Sequence, residues 1–214
     1  MKNTILSIAR AVLIALVILS GAIAVPILFR PFYWWHIGPF QLDAWMGLTR
    51  GQIKEAYGQM MDYCIGLRDT FSVGVLPFSE LGASHFADVR NLFLLDLWAF
   101  GIGSALLLAL CLLDRRKGIR LHGHTPGYWS AVGLGVTFAA VGGLASLDFS
   151  RAFTVFHKLF FPGKDNWIFN GDEDPVIYML PEEFFRNCAI VILAVLLLAC
   201  AALVIFDIRQ NKNK

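Results

Sequence analysis

Two histidines stand where imidazole chemistry could be shared. His85 lies in Phe78-Ser79-Glu80-Leu81-Gly82-Ala83-Ser84-His85-Phe86-Ala87-Asp88-Val89-Arg90, and His157 in Phe156-His157-Lys158-Leu159-Phe160-Phe161-Pro162-Gly163. The pattern turns helical from Ser84 onward, so Asp88, three residues after His85, shares its face and is placed to orient the ring. Imidazole titrates near pH 6.5, which suits it to take and return a proton close to neutrality. Brought together, the two rings would make an acid–base pair. The other histidines are placed less suggestively: His122 and His124 form an H-x-H pair without a third ligand type nearby, so no metal site is assigned there. His36 falls in an aromatic cluster and reads as an interfacial hydrogen-bonding residue. Nucleophile chemistry has weaker signals, because Ser79, Ser84 and Cys64 are available but no G-x-S-x-G elbow accompanies them.

The elements that must position these groups follow from composition. The 214 residues are 57% hydrophobic and 16% charged, against about 25% charged in a soluble domain. Four apolar runs reach the roughly 20 residues needed to cross a bilayer, at 5–29, 93–113, 128–147 and 187–206. The expectation is a mainly α, integral membrane protein with four transmembrane helices, forming a single membrane domain over 1–214. A cleaved signal peptide is the rival reading of the start, with Ala22-Ile23-Ala24 as its cleavage site. The first apolar run exceeds the usual signal core of roughly 7–15 residues, which favours retention as a span.

Charge sets the orientation. With the N-terminus, the loop 114–127 and the tail after Phe206 on one side, that side holds Lys2, Arg10, Arg115, Arg116, Lys117, Arg120, Arg209, Lys212 and Lys214 against Asp114 and Asp207 only. The two sides carry +7 and −5, in keeping with the formal +2, and the positive-inside rule makes both termini cytoplasmic. Segments 30–92 and 148–186 then face outward, and both histidines fall on that side. Three of the four cysteines lie in predicted spans, so no disulfide framework is expected, and no motif points to nucleic acid.

The first outer segment opens with the aromatic cluster Arg30-Pro31-Phe32-Tyr33-Trp34-Trp35-His36, of the kind found at headgroup depth. Thr49-Arg50-Gly51-Gln52 has the form of a capping box. The apolar positions Ile53, Tyr57, Met60, Met61 and Cys64 that follow describe an amphipathic helix, either lying on lipid or packed within an extracytoplasmic cap. Phe71, Val73 and Val75 alternate with small residues, a weak strand signal that leaves a small β element open. The second outer segment reads as an extension of the third span as far as Pro162-Gly163. Asn170-Gly171-Asp172-Glu173-Asp174-Pro175 reads as a solvated acidic turn, since it lacks the spacing of a calcium loop. Within the spans, Gly135, Ala139 and Gly143 make a small-xxx-small packing stripe. Asp96 lies about one turn inside the second span, with Arg30 as its candidate partner.

Taken together, the two histidine segments, Asn166-Trp167 after the second of them, and Leu180-Pro181-Glu182-Glu183-Phe184-Phe185 before the last span resemble the bacterial lipoprotein intramolecular transacylase family. The likeness extends over nearly the whole chain, with Lys164-Asp165 as a minor departure. It implies a multi-pass protein of the bacterial plasma membrane that acts on diacylglyceryl-modified lipoproteins. The activity implied is movement of the sn-2 acyl chain of the diacylglyceryl-cysteine to the cysteine α-amine, giving the N-acyl, S-monoacylglyceryl lyso form. His85 and His157 would be catalytic, with Asp88 and Arg90 supporting and with no cofactor. His157 is the preferred base, although the sequence leaves open which histidine takes which role, and it is silent on oligomeric state. The alternatives are a membrane lipid or lipoprotein hydrolase and a non-catalytic lipid-binding protein.

Overall fold

The protein, a computed structural model, is described over residues 2–113 and 119–213. Arg115, Arg116, Lys117 and Lys214, which contribute to the charge asymmetry, lie outside the described residues. Among the described residues the chain is helical, in the order α1 (Lys2–Leu28), α2 (Pro31–Ile37), α3 (Leu42–Met46), α4 (Arg50–Cys64), α5 (Glu80–Leu113), α6 (Pro126–Leu147), α7 (Phe149–Phe160), α8 (Val176–Met179) and α9 (Glu182–Lys212). Four stretches are long and apolar enough to cross a membrane: Thr4–Leu28, Glu80–Leu113, Pro126–Leu147 and Glu182–Lys212. Large side chains such as Leu106, Leu144 and Leu198 are exposed along them, as a lipid-facing surface requires. Helix α5 runs for 34 residues, about 51 Å at 1.5 Å per residue. That is well beyond a hydrocarbon layer of about 30 Å, so the polar N-terminal end of α5 extends past the apolar stretch.

Two compact units share these helices. One comprises Met1–Val25, Asp96–Leu147 and Ile190–Lys214. Its core is Ala22, Ala131, Leu196 and Cys200, with Leu19 and Phe138 packed against it. The expected small-residue stripe is the contact face only in part: a Cβ on Gly135 would meet Cys200 of α9 at 3.9 Å, but Ala139 is exposed and nothing approaches Gly143, whereas a Cβ on Gly142 would meet Leu193 at 2.6 Å. Small residues recur on several faces of α6, and packing selected the one that meets α9. In the same unit Asp207 is fully buried and gathers the loop before α6. Its carboxylate accepts from the Thr125 backbone N–H at 2.7 Å and the Asn211 amide at 3.2 Å, and it meets His124 Nδ1 at 2.6 Å. The H-x-H pair is thereby accounted for, with His124 bound to a carboxylate and stacked on Tyr128 at 3.9 Å. Asp96 Oδ2 is buried without a partner among the described residues.

The second unit comprises Pro26–Leu95 and Asp148–Ala189. The capping box is present, since the Thr49 hydroxyl accepts from the Gln52 backbone N–H and the Gln52 side chain accepts from that of Thr49. Helix α4 buries Ile53, Ala56, Tyr57, Met60, Met61 and Cys64. The amphipathic helix is therefore packed within the protein, and the alternative of a helix lying on lipid is not what forms. Tyr57 stacks on Tyr33 at 3.7 Å, and the Tyr33 hydroxyl donates to the Met179 carbonyl at 2.9 Å. Arg30 pairs with Asp62, and not with Asp96. Segment 71–79 forms no strand; its backbone is held by Gln59, whose Oε1 accepts from the Ser72 hydroxyl and the Gly74 N–H.

Candidate active site

Helix α5 carries His85 in its second turn, and its start is held by an acid from elsewhere in the chain. Asp174 accepts from the Ser79 backbone N–H at 2.8 Å and from the Ser79 hydroxyl at 2.7 Å, while that hydroxyl accepts from the Gly82 N–H at 2.9 Å. A carboxylate is favourable there because unpaired N–H groups and the positive end of the dipole meet at a helix N-terminus. Glycine at 82 is required by the close approach, since a Cβ would lie 2.2 Å from Asp174 Oδ1. Asp174 is only 3% exposed, so the expected solvated turn is instead an anchor for the helix that bears His85. Hydropathy and spacing could not show this, because the partner lies 95 residues away.

His157 is presented by α7, which is not a continuation of α6. The helix breaks at Asp148, whose extended backbone and side chain, accepting from the Arg151 N–H at 2.9 Å, start a new one. His157 is buried among exposed neighbours Val155, Phe156, Leu159 and Phe160.

The two imidazoles meet with ring centroids 6.0 Å apart and planes inclined by 31°. Both are nearly sealed, at 6% exposure for His85 and 8% for His157. The walls are aromatic: Phe161 lies 4.9 Å from the His85 ring and 5.8 Å from the His157 ring, Phe169 stands edge-on to His85 at 5.4 Å, and Trp167 stacks on His157 at 4.8 Å. His157 Nδ1 lies 2.8 Å from the Phe153 carbonyl. A carbonyl can only accept, so Nδ1 carries the proton and the Nε2 lone pair is left free. Burial holds the His157 pKa below the usual imidazole value, only partly offset by that hydrogen bond, so the ring is neutral at pH 7. His85 Nδ1 is buried without a hydrogen-bond partner among the described residues. A neutral base and an uncommitted imidazole, enclosed by apolar walls, can move a proton and stabilise charge on a reacting ester.

The expected supporting residues are placed differently. Asp88 binds Lys164 through Oδ1 at 2.6 Å and the Asn166 amide through Oδ2 at 3.0 Å; no hydrogen bond joins it to His85. Lys164 and Asn166 are partners of Asp88 whose role sequence reasoning missed: Asn166 enters it only within the motif Asn166-Trp167 and Lys164 only in the polar run after Pro162-Gly163. Arg90 packs over Tyr63 at 4.7 Å, donates to the Arg68 carbonyl and lies 3.7 Å from Asp69. His36 is saturated, with Nδ1 2.6 Å from the Phe32 carbonyl and Nε2 2.9 Å from the Asn187 amide. Among the other nucleophile candidates, burial pushes the Cys64 thiol up to about 12, Ser79 is held by Asp174, and Ser84 faces the Asn166 amide at 3.3 Å.

The fold has solved counterparts. The in meso structure of the membrane integral lipoprotein intramolecular transacylase Lit from Bacillus cereus superposes with a TM-score of 0.85 at 22% identity, covering 100% of this chain and 99% of that one. A structure of the same protein with a histidine-to-arginine mutation gives 0.79 at 22% identity, covering 99% and 94%. One with a histidine-to-alanine mutation gives 0.74 at 23%, covering 100% and 96%. No curated protein matches the sequence. The model of the family described as lipoprotein intramolecular transacylase Lit matches residues 8–185, a stretch that contains both histidines and the helices that carry them. On that match, the chain belongs to the lipoprotein intramolecular transacylase family.

Proposed function

We propose that this protein catalyses intramolecular acyl transfer on bacterial lipoproteins, moving the sn-2 acyl chain of an N-terminal diacylglyceryl-cysteine from glycerol oxygen to the α-amine. The observation that carries the reading is the sealed pair of imidazoles, one of them held with a free Nε2 lone pair by the Phe153 carbonyl.

Amine and ester belong to one molecule, so a site that holds them at near-attack distance turns a bimolecular step into a unimolecular one. An α-amine titrates near 7.7–8.0. In the proposed sequence the neutral amine attacks the sn-2 carbonyl carbon, and His157 Nε2 takes the amine proton as the C–N bond forms. The tetrahedral intermediate carries an oxyanion, toward which His85 can turn an N–H. Collapse breaks the bond from carbonyl carbon to glycerol oxygen, and His157 returns its proton to that oxygen. The products are an amide and a free hydroxyl; no atom is gained or lost and no cofactor is used. Arg90, committed to the Arg68 carbonyl and the Tyr63 ring, is given no part in this sequence.

Orientation belongs to the same reading: both termini in the cytoplasm and the histidines on the outer face of the plasma membrane, supported by the +7 and −5 division of charge. The test is mass spectrometry of a synthetic diacylglyceryl-cysteine lipopeptide incubated with purified protein in lipid. The expected product is an isomer of unchanged mass with one acyl chain on nitrogen. Release of free fatty acid would replace the reading with hydrolysis.

A further inference from the structure

Both histidines are nearly closed off, yet any diacylglyceryl-cysteine must reach them. Part of what closes the site comes from one short segment. Phe161, Trp167 and Phe169 pack against the two imidazoles, beside Phe153 of α7 at 4.3 Å from the His157 ring, and residues 162–169 have no regular helix or strand. The segment is a compact piece with its own turns, Ile168 N–H to the Asp165 carbonyl at 3.1 Å and the Trp167 indole N–H to the Lys164 carbonyl at 3.0 Å. Its two ends are fixed. The Phe161 N–H closes α7 on the His157 carbonyl at 2.8 Å, and Asp174 is locked to Ser79. Between them Gly163 sits at φ +72°, where a residue without Cβ turns freely.

Phe169 at the end of this segment packs on His85 and Phe86 of α5, and a polar tie joins its middle to the same helix. Asp88 binds Lys164 and Asn166, and Asn166 also reaches the Ser84 hydroxyl. The Lys164 side chain is half exposed, and ion pairs of that kind are weak. Such a tie can hold a segment closed and still release it. We propose that residues 162–169 form a lid over the histidine pair, hinged at Gly163 and latched to α5 by Asp88 through Lys164 and Asn166, and that substrate enters when this latch opens. Lys164 and Asn166 are then positioning residues, acting through the placement of Trp167 and Phe169. The lid stands on the geometry alone, and its link to turnover rests on the acyl-transfer reading.

A reversible lock tests it. Ser84→Cys and Asn166→Cys, combined in a Cys111→Ser background that removes an exposed thiol, place two thiols across the latch. The cross-linked form is expected to convert the lipopeptide at least about tenfold more slowly than the same molecule after reduction, since only the open fraction admits substrate. A cross-linked form, verified by intact mass, that turns over as fast as its reduced form overturns the proposal. Should the reduced double variant be inactive, Lys164→Met decides: carbethoxylation of His157 by diethyl pyrocarbonate, followed by peptide mass mapping, is expected to run about threefold or more faster than in the parent as local opening becomes commoner. An unchanged rate at His157 overturns the lid. If the parent protein transfers no acyl chain while the labelling rates differ as expected, the acyl-transfer reading fails and the lid survives.

Discussion

At the residue scale the difference between His85 and His157 lies in what each Nδ1 meets. A carbonyl acceptor makes His157 a donor at Nδ1 and hence a base at Nε2, whereas no partner dictates the tautomer of His85. With burial lowering the His157 pKa, the free base persists below the ordinary imidazole value of about 6.5. As pH falls, the rate declines first with protonation of the substrate amine, at about 7.7–8.0, and a second protonation, that of His157, enters only when pH passes its lowered value. A single-turnover pH–rate profile measures this, and a second protonation at or above pH 6.5 would contradict it. His36→Ala removes a ring whose two nitrogens are both engaged in structural hydrogen bonds, so acyl transfer in that variant is expected to stay close to the parent rate. The type and placement of the two histidines were legible in sequence because each sits in an apolar context beside a strongly helical pattern. The ties of Lys164 and Asn166 to Asp88 were not, since a polar turn after Pro-Gly looks the same whether solvated or bound to a carboxylate.

At the element scale the site depends on how α5 and α7 begin. Ser79→Ala is expected to cost about 1 kcal/mol as a lost cap, and Gly82→Ala more, because its Cβ would displace the Asp174 carboxylate. Thermal unfolding in detergent should therefore rank Gly82→Ala below Ser79→Ala and both below the parent. A Gly82→Ala protein as stable as the parent would mean that the Asp174 contact does not hold the helix start. The capping box at Thr49 and the presence of four apolar helices long enough to cross a membrane could be read from sequence, because cap and hydropathy signals are local. The break at Asp148, the buried role of Asp174 and the choice of Gly142 as contact position were not, because each depends on a partner distant in sequence.

At the scale of the whole molecule, four apolar helices and an asymmetric distribution of charge make a membrane topology that can be tested directly. In the proposed orientation, Asn170→Cys should react with an impermeant maleimide in intact cells and Lys212→Cys should react only after lysis; the reverse pattern would invert the topology. Ester-to-amide transfer needs no Lewis acid, and no cluster of three or more metal-ligating side chains occurs among the described residues. Activity is expected to survive EDTA, as followed by the same mass-spectrometric assay, and a loss restored by zinc would assign the histidines to a metal. The central claim, that the imidazole pair performs the transfer, is tested most directly by His157→Ala and His85→Ala, each checked for folding and then given the diacylglyceryl-cysteine lipopeptide. Tandem mass spectrometry of the N-terminal fragment is expected to show N-acylation reduced by about 10²-fold or more in both, the usual scale of general acid–base catalysis. Conversion by either folded variant at close to the parent rate would contradict the account.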